Sequence, residues 1–178
     1  MPYPVLFGIS AVFGLVVWGA VAWHYIWPAL RERPTPENLK PILLLHGFRF
    51  LGLAFLVPGV VSPDLPAAFA QPVAYGDFIT AILALLALAM LGTRTGAVLN
   101  WIFNIFGTAD LLFAFYQGGR VSLPDTPGLL GAGYLIFAVY VPLLLITHAL
   151  VFRILLRTKA VLLSPSKVRT VSPATLRG

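Results

Sequence analysis

The sequence predicts an all-α integral membrane protein, a helical bundle of five transmembrane helices. Hydrophobic residues make up 59% of the 178 residues and charged residues only 10%, and the mean hydropathy is +0.91. A water-soluble domain carries about 25% charged residues, because water must hydrate its surface. This chain has too few charges for that, so lipid must cover most of its surface.

Five apolar segments account for the bundle, because each has about the 20 residues that a helix needs to cross the hydrocarbon core. The segments cover residues 3–28, 41–61, 73–92, 95–117 and 128–156. The first ends in a cluster of Trp and Tyr that is typical of a membrane interface. Short stretches rich in Pro, Gly and charged residues separate the segments, and they predict the connecting loops.

The positions of Lys and Arg predict the orientation. They are concentrated in the loop after the first segment and in the C-terminal tail, and Arg120 is the basic residue of the opposite loops. By the positive-inside rule the N-terminus lies outside and the C-terminus is cytoplasmic. We therefore expect a five-helix transmembrane domain over residues 1–160. Residues 161–178 form a basic tail, which we expect to be disordered because it lacks apolar periodicity.

The composition also excludes several classes of function. The chain has no cysteine, which rules out disulfides, thiolate metal sites and cysteine nucleophiles. Its formal net charge is +6, yet the basic residues flank apolar segments instead of alternating with aromatics on a soluble face. The expected partner is therefore the lipid bilayer and not nucleic acid. No metal motif is present, and we predict no cofactor, apart from the haem alternative below.

A set of charged and polar residues lies inside the apolar segments. A charge at membrane depth costs at least about 2.5–3.5 kcal/mol, so such residues usually have a partner and a function. We interpret the set as the lining of a polar pocket that binds or conducts a small ligand or a proton. Its members are an electrostatic anchor, two carboxylates and two hydrogen-bonding groups: Arg49, Asp77, Asp110, Asn104 and His148.

Two alternatives stay open. The same residues could lock the packing of helices in an accessory or structural subunit, either in a larger membrane complex or in a homo-oligomer. A membrane redox protein ranks third, with haem held by two histidines out of His24, His46 and His148. Whether the chain is an enzyme is left open.

Four runs of the sequence contain the polar residues in recognisable motifs. Residues 48–56 and 65–77 are similar to the pattern YRxxGxxFL followed by LPxxFAxPxGxGD, residues 103–111 to WNxxGxxDL, and residues 142–148 to PLLLxxH. In these motifs the chain resembles an uncharacterised family of small bacterial multi-pass membrane proteins. The chain departs from the pattern at Phe48 and Phe103, where Tyr and Trp are usual. The resemblance implies a bacterial inner-membrane location and one functional unit of five polar residues, and it implies no known activity.

Overall fold

The computed structural model describes residues 1–163, with side chains to Thr158, and over these residues it is helical without a β-strand. Five helices are long and apolar enough to cross a membrane, which confirms the predicted number. In chain order, and named the first to fifth span below, they are Tyr3–Arg31, Glu37–Leu56, Ala67–Ala89, Arg94–Arg120 and Ile136–Thr158. The last helix continues to Leu163, so it enters the predicted tail. The rest of that tail, 164–178, lies outside the described residues.

The second span changes its helix type midway. An α-helix over Lys40–Gly47 is followed by a 3-10 helix over Phe48–Leu56. A 3-10 helix has three residues per turn, so residues three apart share one face. Arg49, Gly52 and Phe55 are spaced in this way, and they are the buried residues of the segment. The 3-10 geometry therefore aims Arg49 into the bundle.

Prolines set two helix ends differently from the prediction. The second span stops at Leu56 and not at residue 61, because Val57 precedes Pro58 and takes the extended conformation (φ −93°, ψ 116°) that this position favours. The third span starts at Ala67, before Pro72, which lies inside the helix. Pro72 has no N–H for the carbonyl of Ala68. The Gln117 side chain of the fourth span donates to that carbonyl instead, at 2.9 Å.

The fifth span begins later than predicted, at Ile136 and not at residue 128. Two short 3-10 helices precede it, Leu123–Asp125 and Pro127–Gly133, and Gly131 inside the second has a φ of 51°. This left-handed conformation interrupts a helix and favours glycine. The turn also bonds to the loop after the second span, where the Ala132 N–H donates to the Val60 carbonyl at 2.9 Å.

Two apolar clusters fill the bundle, one toward each end. Along the second span, Arg49 lies between Leu43 of one cluster and Phe55 of the other. Along the fifth, His148 follows Leu144 and precedes Val151, all three of them buried. The polar residues thus occupy a middle layer between two apolar layers.

The first span is the least packed of the five, and no residue of Tyr3–Val21 is buried. Its main contacts beyond its own chain neighbours are with the fifth span and the turns before it. Two hydrogen bonds tie it there. Trp18 donates to the Val139 carbonyl at 2.8 Å, and Tyr134 donates to Ser10 at 2.7 Å.

Candidate functional site

A single guanidinium, that of Arg49, connects four spans. Its Nε donates to Asp77 Oδ1 at 2.7 Å, and its Nη2 lies 2.6 Å from the same oxygen and donates to Asp110 Oδ2 at 2.6 Å. Its Nη1 donates to the carbonyl of Gly107 at 3.1 Å and lies 3.2 Å from His148 Nε2. Arg49 itself is 0% exposed, so its guanidinium makes all of these bonds from a fully buried position.

The Arg49 contact also fixes the tautomer of His148. A guanidinium only donates hydrogen bonds, so His148 Nε2 must accept, and Nδ1 then carries the ring proton. Nδ1 donates to Asn104 Oδ1 at 2.8 Å, and Asn104 Nδ2 donates in turn to the His148 carbonyl at 3.3 Å. The side chain of Asn104 therefore holds a neutral His148 ring in the orientation that Arg49 requires.

His46 extends the network, and sequence reasoning left it out of the set. It is 0% exposed, its ring centroid lies 4.3 Å from that of His148, and its Nε2 bonds to the Thr147 hydroxyl at 2.9 Å. Its Nδ1 has no hydrogen-bond partner. The spacing of three between His46 and Arg49 was the available signal, because residues three apart in a helix share a face.

Three glycines make room for the network. A Cβ on Gly52 would collide with the Asp77 carboxylate, one on Gly76 with the Asp110 carboxylate, and one on Gly107 with the ring of His148. These glycines are the ones in the RxxG, GD and NxxGxxD runs of the sequence. Each motif therefore supplies one polar side chain and one glycine, and the missing side chain of that glycine leaves room for a polar residue from another motif.

A cavity of about 150 Å³ adjoins the two carboxylates. Asp77 and Asp110, whose side chains are each 9% exposed, form its polar part, and the remaining lining is almost entirely apolar. Five phenylalanines contribute to that lining: Phe7, Phe55, Phe69, Phe115 and Phe137. Arg49 does not line the cavity, but it donates hydrogen bonds to both of these carboxylates.

The formal charges of the cluster do not cancel. With both carboxylates ionised, one guanidinium leaves one negative charge, since His148 is held neutral by its hydrogen bonds. A buried net charge is costly unless a partner compensates it. The carboxylate face toward the cavity is therefore suited to a proton, a cation or a hydrogen-bond donor.

The structure brings together all five predicted polar residues, Arg49, Asp77, Asn104, Asp110 and His148. It leaves out His24, which is exposed. A haem does not fit the two buried histidines, because rings with centroids 4.3 Å apart leave no space for a porphyrin between them. Among the described residues, no group of three or more His, Cys, Asp or Glu could hold a metal ion.

Comparison with known proteins places the chain in a family. The family model described as domain of unknown function DUF8737 matches residues 6–156, so the chain belongs to that family. The match includes the second to fourth spans, nearly all of the first and fifth, and the whole polar network. No curated protein and no solved structure matches the chain.

Proposed function

Since its family has no assigned activity, we propose from the site alone that the protein binds a small ligand within the membrane. An apolar group of the ligand fills the cavity, and a cationic or hydrogen-bond-donating group meets Asp77 and Asp110. The observation that carries this proposal is an apolar cavity bounded by two carboxylates that one buried arginine holds in place. The roles of Arg49, Asn104 and His148 are to position these carboxylates.

The size of the cavity indicates the apolar part of the ligand. A dry cavity of about 150 Å³ lined by Leu, Ile and Phe holds benzene, and this cavity has a similar volume and a phenylalanine-rich lining. An ammonium beside the ring supplies the positive charge that the two carboxylates lack. A small aromatic amine therefore combines both features.

Binding is better supported than conduction. The polar chain runs from the cavity through Arg49 and His148 to His46. Next to His46 the ring of Phe103 packs edge-on, with centroids 5.0 Å apart, and Phe103 belongs to the buried apolar cluster that also contains Leu43 and Val151. A proton path needs polar groups or water on both sides, and these apolar side chains supply neither.

The test measures the Tm of the purified full chain with three compounds of one shape: benzylamine, toluene and benzoate. A ligand that binds the folded state raises the Tm with increasing concentration. We expect benzylamine to raise the Tm most, toluene less and benzoate least, because the carboxylate of benzoate would face Asp77 and Asp110.

Two variants locate the effect. Asp110→Asn should reduce the benzylamine effect to that of toluene. Asp125→Asn should not, because Asp125 is exposed and does not line the cavity. Equal effects of benzylamine and benzoate would contradict the proposal.

A packing lock is the second candidate, and one observation favours it. Arg49 is fully buried and each of its three nitrogens has a partner, as a purely structural ion network requires. In that case none of the three compounds changes the Tm, although substitution of Arg49 still destabilises the protein. Such a chain would serve as an accessory subunit of a larger membrane complex or of a homo-oligomer.

The placement in the membrane completes the proposal. Five helices long and apolar enough to cross a bilayer support a multi-pass protein, and the distribution of Lys and Arg supports an N-terminus outside. The resemblance of its motifs to those of small bacterial membrane proteins supports the inner membrane. In this orientation the ligand cavity lies in the outer half of the bundle. Residues 1–160 form the transmembrane domain and 161–178 the cytoplasmic basic tail.

A further inference from the structure

A second cavity, separate from the ligand cavity, lies where the end of the first span, the loop after it and the end of the fifth span meet. Its volume is about 340 Å³. Its lining includes a tryptophan, three arginines, one threonine of the loop and one asparagine at the start of the second span: Trp27, Arg31, Arg33, Arg157, Thr35 and Asn38. We call this cavity the basic cleft.

Among the residues whose side chains the structure describes, the arginines of the basic cleft have no salt-bridge partner. No Asp or Glu lines it, and within residues 1–158 the salt bridges belong to Lys40 and Arg49. Trp27 holds part of this charge in place: the guanidinium carbon of Arg157 lies 5.2 Å from its ring centroid, and that of Arg153 lies 4.1 Å from it. Cation–π contacts of this kind orient a guanidinium without neutralising it.

A buried amide also faces the basic cleft without a full set of partners. Asn38 is 6% exposed, and its Oδ1 has no hydrogen-bond partner. Its Nδ2 has only a long contact, 3.5 Å, with the Thr35 hydroxyl. An unpaired buried acceptor is costly, so the amide is suited to a ligand that carries a hydroxyl or another donor.

We propose that the basic cleft binds the phosphate of an anionic phospholipid whose headgroup also carries a hydroxyl. Guanidinium groups match the oxygens of a phosphate in geometry and charge, and Asn38 Oδ1 accepts a hydrogen bond from the headgroup hydroxyl. The basic cleft lies at the ends of two membrane-spanning helices, the level at which basic pockets between helices bind lipid headgroups. By the positive-inside distribution this is the cytoplasmic leaflet. The inference needs the membrane placement but not the ligand cavity.

The same phosphate chemistry also occurs on soluble molecules, so the experiment compares two sources. The Tm of the detergent-purified full chain is measured with phosphatidylglycerol, with phosphatidylcholine and with sn-glycerol 3-phosphate. We expect a clear rise in Tm with phosphatidylglycerol only. A rise with glycerol phosphate that equals the rise with phosphatidylglycerol would overturn the assignment to a lipid. Equal rises with the two phospholipids would overturn the assignment to an anionic headgroup with a hydroxyl.

Variants locate the effect. Arg31→Gln, Arg33→Gln and Arg157→Gln should each weaken phosphatidylglycerol binding about fivefold, from the attraction of one basic residue to an anionic headgroup. The matched control is Arg94→Gln, an exposed arginine on the same predicted side of the membrane that does not line the cleft. Should the Arg94 variant lose as much binding as the cleft variants, the attraction is to the whole basic surface and the proposal fails.

Asn38→Leu tests the hydroxyl contact with nearly the same side-chain shape. It removes the acceptor, so we expect it to reduce the preference for phosphatidylglycerol over phosphatidylcholine, whose headgroup has no hydroxyl. Its Tm without lipid shows whether the variant folds. A folded Asn38→Leu variant that keeps the full preference would contradict the role given to Asn38.

Discussion

At the scale of single residues, Arg49 is the hydrogen-bond donor that allows several other polar groups to be buried in the bundle. It donates to two carboxylates, one backbone carbonyl and one imidazole nitrogen. When one partner of a buried ion pair is removed, the remaining charge is left unpaired, which costs about 3–5 kcal/mol. Removing all the charges together is less costly, since no charge is left unpaired.

Arg49→Met should therefore be more destabilising than the triple variant Arg49→Met, Asp77→Asn, Asp110→Asn. We expect the single variant to lose about 3–5 kcal/mol of unfolding free energy and the triple variant to recover part of that loss. Denaturant unfolding of the purified variants in detergent measures both values. Additive losses would mean that the three residues do not form one electrostatic unit.

The glycine beside each carboxylate gives a second test at this scale. A methyl group on Gly76 would occupy the position of the Asp110 carboxylate, so Gly76→Ala should cost about 1–3 kcal/mol, as overpacking does. It should also weaken the benzylamine response, since Asp110 must move. Gly8→Ala is the matched control, because nothing lies within 4 Å of a Cβ there. A Gly76→Ala variant as stable as the Gly8→Ala variant would contradict the close approach.

The five polar residues could be predicted from the sequence, because each interrupts an apolar segment. His46 was not included for a physical reason. Its ring joins the polar network through contacts with Thr147 and His148, which belong to the fifth span and are far from His46 in sequence. Such contacts depend on how the second and fifth spans are rotated, and no motif in the sequence encodes that rotation.

At the scale of helices, the differences between prediction and structure fall at prolines and glycines. The number of spans follows from the lengths of the apolar segments. Their ends depend instead on whether a particular proline, such as Pro72, is accommodated inside a helix. Pro72 is accommodated because a side chain from the fourth span satisfies the carbonyl that it leaves free, and that is a tertiary interaction.

A double-mutant cycle on Pro72 and Gln117 tests this account. Gln117→Leu should destabilise by about 1 kcal/mol, because the carbonyl of Ala68 loses its donor. In a Pro72→Ala background the residue 72 N–H bonds to that carbonyl within the helix, so Gln117→Leu should then cost little. Unfolding free energies of the four proteins give the coupling between the two positions. A cost of Gln117→Leu that is the same in both backgrounds would show that the contact is incidental.

At the scale of the whole molecule, the bundle consists of two apolar layers around one polar layer, with basic residues at one end. The sequence predicts polar residues inside the apolar segments and a basic end, because both follow from composition along each segment. It does not predict which spans are neighbours, since the segments are apolar around most of their circumference and show no single packing face. The placement of the first span against the fifth is an example.

The absence of cysteine from the chain makes its orientation easy to measure. Single-cysteine variants Asp125→Cys and Glu32→Cys place one thiol in each of two exposed loops at opposite ends of the bundle. With a membrane-impermeant maleimide, we expect Asp125→Cys to react in intact cells and Glu32→Cys to react only after permeabilisation. The reverse pattern would place the N-terminus in the cytoplasm and the basic cleft on the outer side of the membrane.

The position of the first span has a consequence for how the protein is made. This helix contributes Phe7 to the wall of the ligand cavity, yet its main contacts are with residues after 122. A ribosome synthesises the first of these five spans before the other four and its partner, the fifth, after them. The first span therefore has few contacts until the fifth is made, and the wall of the cavity that contains Phe7 is completed last.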